Sequence, residues 1–350
     1  PELSTGMPPA LMPLVLLLQE REAGGGVHTV TQTLRRALCA RGWDVMELAL
    51  NAGGWLAVWD AARKCDVILA CNNFKPAYVV YVVAMLVRKP ALVWAHGPVG
   101  EVLAQGDASP LKRAWLHWLY RRLPEWVFVS LSSRDSFERF VGLTSMDRRQ
   151  HIVIPNAVPQ ASGAPGCNGS KGRTGRTVQL AYVGRLSPEK RPELLTEVLR
   201  LLPQEFKLTM VGDGPLLESL RQDNADLLES GRLTLAGAQP HGTFSYASWD
   251  LTLLASRYEG CPMTLLESFA SGVPCVGVPI PALQEILDAD APYLLARAQS
   301  PQAIAEAVKS VLALPAQKVQ ADIARVVMRH QVPEFARRWE QVLQNMVRRC

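Results

Sequence analysis

The sequence predicts an α/β protein built as two doubly wound parallel-sheet domains, and three observations carry that expectation. Short apolar runs of strand length alternate with helical patterns through the first half, as in an open parallel sheet covered on both faces. The alternation stops in a stretch rich in Gly, Ser and Ala, residues 159–177, and restarts at Val178. Trp249 to Val278 then reads strand, loop, helix, strand, a βαβ unit with two glutamates in its crossover. A chain of 350 residues has length enough for two buried cores.

In the first half, Leu14–Leu18, Asp44–Leu50, Asp66–Ala70, Ala91–Ala95, Trp126–Ser130 and His151–Ile154 read as strands. Helical patterns cover 27–41, 55–63, 76–88, 110–122 and 134–141. Residues 1–10 are expected to be a tail or an expression remnant. Leu14–Leu18 follows no basic segment, so it reads as a first strand rather than a signal peptide. Ala77–Val87 is eleven uncharged residues, too short to span a bilayer.

The first strand–helix crossover carries Gly24-Gly25-Gly26 before Val27-His28-Thr29. Glycines let backbone approach a ligand, and the following helix offers its amide end to phosphate; a plain flexible turn explains them equally well. His96 falls at the carboxyl end of the strand Ala91–Ala95, where a histidine is either structural or functional. Residues 110–122 combine two tryptophans, a tyrosine and four Lys/Arg. Leu111, Trp115, Trp118 and Leu119 share one side of the wheel, and the expectation is that this side docks on the sheet. The alternative is a helix lying on an anionic membrane.

The second half opens with the strand Val178–Val183, then Gly184-Arg185-Leu186 and, after one further turn, Lys190-Arg191-Pro192. Two fixed cations at a strand end could hold an anionic group such as a diphosphate, although the motif standing alone reads as a solvated basic turn. Arg191 is expected to be a solvated neighbour. Phe206–Val211 and Arg232–Ala236 are further strands. Gly212-Asp213-Gly214 follows the first of them, with the glycines for close approach and Asp213 expected to cap a helix. Trp249–Ala255 and Pro274–Val278 flank a helix from Pro262 to Ser271, proline at its start and Gly272 to end it. Glu259 precedes that helix and Glu267 lies within it, so two acceptors flank one anion-friendly helix terminus. Residues 302–313, 316–331 and 333–349 complete the helical patterns, with Phe335, Trp339 and Val342 on an apolar face.

The stretch EGCPMTLLESFASGVPCV, with Gly-Arg-Leu…Lys at 184–190 and HIVIPNAV at 151–158, resembles the retaining glycosyltransferases of GT-B fold, family four, also called group 1. The resemblance covers nearly the whole chain. It implies two Rossmann-like domains facing a central cleft: an acceptor domain over 11–158, a flexible linker over 159–177, and a donor domain over 178–331. Residues 332–350 would form a helix that packs back on the first domain. It implies that Arg185 and Lys190 hold the donor diphosphate, that Glu259 meets the sugar hydroxyls and that Glu267 meets the ribose. It places Gly25, Gly26, Gly184, Gly212, Gly260, Cys261, Pro262, Met263 and Thr264 at the donor, and His96 near the donor sugar. Ala157 stands where the family usually has glycine, and Gly-Cys-Pro where many members have Gly-Phe-Gly. Pro262 thereby lacks one N–H that a ligand would otherwise meet.

The implied reaction moves a sugar from a nucleotide-diphosphate sugar, UDP first and GDP next, to a glycan or lipid-linked acceptor with retention. No cofactor and no metal are expected. The alternatives are a sugar-nucleotide epimerase of the same fold and a non-catalytic sugar-nucleotide-binding subunit. A net charge of +5 fits anionic partners and is too small to argue for nucleic acid. Seven scattered cysteines without a Cys-x-x-Cys pair suit a reducing cytoplasm. The protein is expected there, with peripheral contact to the inner face of the membrane as a further possibility.

Overall fold

The computed structural model describes residues 12–20, 25–106, 109–123, 125–143, 151–158, 177–240 and 243–349. The expected tail at 1–10, the linker up to residue 176, Gly24, Cys167 and Cys350 lie outside them.

The first domain runs β1 (Leu14–Gln19), α1 (Gly25–Cys39), β2 (Asp44–Ala49), α2 (Leu50–Lys64), β3 (Val67–Ala70), α3 (Lys75–Val87) and β4 (Ala91–Ala95). It continues with α4 (Val99–Gln105), α5 (Pro110–Tyr120), β5 (Trp126–Phe128), α6 (Leu131–Val141) and β6 (Ile152–Val153). All its strands are parallel, in the order β2-β1-β3-β4-β5-β6. The order reverses between β1 and β3, so the crevice of this sheet opens where those two strands end.

The second domain runs β7 (Val178–Val183), α7 (Pro192–Leu201), β8 (Phe206–Val211), α8 (Leu217–Asp223), α9 (Ala225–Glu229), β9 (Leu233–Gly237) and β10 (Leu251–Leu254). After these come α10 (Met263–Ala270), β11 (Cys275–Gly277), α11 (Pro281–Leu287), α12 (Pro301–Ala313), α13 (Ala316–Arg329) and α14 (Val332–Val347). Its five strands are parallel in the order β11-β10-β7-β8-β9, with the switch between β7 and β10. This is a GT-B architecture, two doubly wound sheets in one chain.

Alternation within single strands builds the two layers. Leu16 and Leu18 of β1 face a core with α2, α3, α5 and α6, while Val15 and Leu17 face α1 and α14. Helix α14 belongs to the first domain in space although it is last in the chain. Its Trp339 is fully buried and meets Trp94 of β4 edge-on, with ring centroids 4.7 Å apart, and Phe335 lies beside them. Burying an aromatic side chain of this kind stabilises by roughly 1.5–3 kcal/mol.

Four readings of single residues change. Helix α5 turns Leu116, Leu119 and Tyr120 inward and leaves Leu111, Trp115 and Trp118 exposed, so the expected docking side is rotated by about one residue. Tyr120 explains the rotation: it is buried, donates to the Asn73 carbonyl and packs on Trp126 and Phe137. Asp213 caps no helix; its Oδ1 accepts from the Gly214 N–H at 2.7 Å, and α8 starts only at Leu217. Arg191 is no solvated neighbour, because its Nε donates to the Ala255 carbonyl at 2.6 Å and ties α7 to the end of β10. Leu233–Gly237 starts and ends one residue later than the expected strand at 232–236, since the Arg232 backbone N–H donates to the Leu227 carbonyl at 3.0 Å and closes the turn after α9.

Candidate active site

The carboxyl ends of β1 and β3 face those of β7, β8 and β9 across a cleft of about 1380 Å³. Gln19, Glu20, Gly25, Gly26, His28 and Asn72 line it from the first domain. Gly184, Arg185, Gly212, Asp213, Gln239, Phe244, Met263, Thr264 and Glu267 line it from the second.

Helix α10 aims its start into this cleft. Pro262 stands before it, and helix geometry leaves the first-turn amides of Met263 and Thr264 without intrahelical acceptors. Thr264 Oγ1 donates to the Val183 carbonyl at 3.0 Å, which pins the helix start to the end of β7. One turn on, Glu267 Oε2 accepts from the Tyr246 hydroxyl at 2.9 Å. Burial, then the Glu267 charge, push the Tyr246 hydroxyl well above its ordinary range, so it stays a donor to the carboxylate.

Gly212 follows β8 at φ +146°, and a Cβ there would lie 1.8 Å from the Gly184 carbonyl oxygen. The two glycine turns therefore touch, backbone on backbone, and form a floor with no side chains between Arg185 and Asp213. Arg185 is exposed at the rim of this floor, while its carbonyl accepts from the buried Tyr182 hydroxyl at 2.7 Å.

Lys190 and Glu259 lie outside the lining of the cleft and meet each other. Lys190 Nζ is 2.6 Å from Glu259 Oε1, and the Ser256 hydroxyl donates to the same oxygen at 2.6 Å. Their charges cancel, which leaves Arg185 as the Lys or Arg that lines the cleft among the described residues.

Gly260, Cys261 and Pro262 pass behind the cleft, at the junction of the domains. A Cβ on Gly260 would stand 2.0 Å from the His96 carbonyl oxygen, so only glycine admits the two chains here. The Cys261 carbonyl accepts from Asn156 Nδ2 at 2.9 Å, and burial pushes its thiol up to about 12. His96 follows β4 at this junction, with its ring 4.4 Å from that of Trp94 and its Nε2 buried without a partner. Burial lowers its pKa to about 3, which leaves it neutral near pH 7.

Thus the structure gathers Gly25, Gly26, Gly184, Arg185, Gly212, Met263, Thr264 and Glu267 around one cleft. His96, Lys190, Glu259, Gly260, Cys261 and Pro262 lie beside it. Sequence reasoning overlooked Tyr246, Glu20, Asn72 and His28, whose Nδ1 is buried without a partner. His28 stands two residues after Gly26, a proximity visible in the sequence; Asn72 and Tyr246 carried no local signal. Among the described residues no three His, Cys, Asp or Glu side chains converge as metal ligands.

Residues 170–326 match the family described as glycosyl transferases group 1. Over these residues the second domain is similar to the group 1 glycosyl transferases. The O-antigen biosynthesis glycosyltransferase WbnH of Escherichia coli is 35% identical over 123 residues, 35% of this chain and 33% of that protein. The UDP-Gal:alpha-D-GlcNAc-diphosphoundecaprenol alpha-1,3-galactosyltransferase of Escherichia coli is 30% identical over 144 residues, 37% of each chain. The chain thus spans about a third of the length of the curated relatives it matches. Among solved structures, Anabaena Alr3699/HepE in complex with UDP superposes with a TM-score of 0.76 over 95% of this chain and 100% of that one, at 17% identity. That likeness shows the GT-B fold across both domains. The matched residues include both glycine turns, Arg185 and the start of α10.

Proposed function

We propose that the chain transfers a sugar from a nucleotide-diphosphate sugar, UDP-linked by preference, to a hydroxyl of a glycan or lipid-linked acceptor, with retention. The observation that carries this is the convergence on one cleft of an exposed arginine, a helix N-terminus and a buttressed carboxylate. Arg185 and the first amides of α10 suit the diphosphate, and Glu267, held by Tyr246, suits the ribose hydroxyls. As the glycosidic bond breaks, negative charge grows on the leaving phosphate, where fixed positive groups lower the barrier most. That phosphate would take the acceptor proton, so neutral His96 is not required as a base.

Lys190 takes part by reorientation: a donor diphosphate would compete with Glu259 for its ammonium and free that carboxylate for the sugar hydroxyls. Support for a UDP-linked donor comes from the group 1 match, from the UDP bound to HepE and from the UDP-Gal in the name of the galactosyltransferase. Support for a role in surface polysaccharide comes from the O-antigen assignment of WbnH.

The test is a thermal-shift series with UDP, GDP, ADP, dTDP and CMP, each with and without EDTA, since a ligand of the native state raises its stability by mass action. UDP is expected to give the largest rise, unchanged by EDTA and lost in Glu267→Ala. Arg185→Ala combined with Lys190→Ala is expected to abolish transfer; near-normal turnover by that variant overturns the diphosphate assignment.

A further inference from the structure

We propose that helices α2, α3 and α5 together form a docking face for an anionic lipid bilayer. Helix α5 presents Leu111, Trp115 and Trp118 outward, 83%, 45% and 45% exposed. Its outer side is continuous with that of α3, because Trp115 stands edge-on to Tyr78 at 4.9 Å and Trp118 edge-on to Tyr81 at 6.3 Å. Helix α3 adds Val82, Met85 and Leu86, and α2 beside it adds Trp55 and Leu56. Eight of the twelve large apolar side chains exposed among the described residues therefore lie on three neighbouring helices. Singly scattered exposed apolar residues need no explanation, whereas a gathered set on one face marks an interaction surface.

The charge on the same helices selects the occupant. Segments 50–64, 74–89 and 109–123 hold nine Lys and Arg against one acid, Asp60, so they carry +8 in a chain whose net charge is +5. All remaining residues together are at −3. Lys112 and Arg113 flank Leu111, Arg88 and Lys89 close α3, and the Arg122 guanidinium lies 4.0 Å over the Trp118 ring. Tryptophan, tyrosine and an excess of cations around an aliphatic centre match the headgroup level of an anionic leaflet: apolar groups enter the acyl boundary and cations stay among phosphates. Contact is peripheral, since among the described residues no helix is long and apolar enough to cross a membrane.

The face begins at the mouth of the cleft. Lys75, the first residue of α3, is 3.5 Å from Glu20, which lines the cleft, and Asn72 lies three residues before it. An acceptor carried on a lipid would thus reach the cleft from the bilayer, a consequence that rests on the transferase reading; the docking itself does not.

Vesicle sedimentation of the full chain tests this, with phosphatidylcholine vesicles and with the same vesicles containing phosphatidylglycerol. The chain is expected to sediment with the anionic vesicles alone, and less so as salt is raised and screens the contact. Lys112→Glu with Arg113→Glu, and separately Leu111→Asp with Trp118→Ala, are each expected to lower the bound fraction ~tenfold or more. Leu201→Asp, on the exposed side of α7, is expected to change nothing. Binding absent from both vesicle types, equal on both, or unaltered in the face variants overturns the proposal. A dimer in light scattering that the same variants split would assign the face to a second copy of the chain and likewise overturn it. The UDP thermal shift of each variant reports an intact fold, and its absence in the unaltered chain counts against the transferase reading alone.

Discussion

At the scale of the residue, the site is arranged by neutralisation. Glu259 and Lys190 compensate each other, Glu267 is held by a phenol, and Arg185 stands exposed at the rim. His96 makes this visible in solution. Its pKa near 3 in the folded chain lies below the ~6.5 of an unfolded histidine, so the unfolded chain binds the extra proton between those values. Stability is then fully present above about pH 6.5 and is lost as the pH falls toward 3, by up to ~1.4 kcal/mol per pH unit for one proton. Buried His330 is shifted in the same direction and adds to the slope. His96→Gln should flatten the fall in unfolding free energy between pH 7 and 5, measured by urea titration; an unchanged slope would remove His96 as its source.

At the scale of the element, the strand ends determine what the cleft is made of. β7 and β8 are in register from Val178–Phe206 to Val183–Val211, which brings Gly184 and Gly212 side by side immediately beyond. The floor tolerates no added atom, since both sides of the contact are backbone. Gly212→Ala is therefore expected to cost more than the ~1–3 kcal/mol of ordinary overpacking, or to displace the Arg185 turn and weaken nucleotide binding. Denaturant unfolding together with UDP titration measures both, and an alanine variant unchanged in each would show that the turns can separate freely. Helix α5 shows the limit of periodicity as a guide. Its wheel has apolar residues on nearly every side, so the buried stripe is chosen by which partners lie opposite, here Trp126 and Phe137 for Tyr120.

At the scale of the molecule, polar contacts between the domains add to a shared apolar cluster in setting how they face one another. Glu285 of α11 reaches across to the start of α6, where Oε1 accepts from the Leu131 amide at 2.7 Å and Oε2 from the Ser132 amide at 3.0 Å. A carboxylate on free helix amides is a charge-assisted pair at the positive end of the helix. Asn156 to the Cys261 carbonyl, and the Gly260–His96 approach, hold the junction behind the cleft. Removing the Glu285 clasp should loosen the closed arrangement without touching either core. Glu285→Ala is expected to raise the radius of gyration in small-angle scattering of the ligand-free chain and to lower its thermal midpoint by a few degrees. Identical scattering curves for both chains would show that the junction contacts and the shared apolar cluster hold the domains without Glu285.

The sequence by itself determined the class of fold and which residues of the second domain follow its strand ends at the cleft. Parallel buried strands read as short apolar runs, and the glycine, arginine and glutamate positions around β7, β8 and α10 sit within a few residues of strand ends. Such signals are local, because backbone geometry places a residue that follows a strand at the sheet edge whatever the rest of the chain does. What only the tertiary structure decided is everything set by pairs distant in the chain. Tyr246 holds Glu267 over 21 residues, Lys190 is neutralised by Glu259 over 69, and Glu285 clasps Leu131 over 154. The outward turn of Leu111, Trp115 and Trp118 belongs with these. Such contacts follow from which surfaces close against each other, and burial is a property of that closure rather than of any one segment.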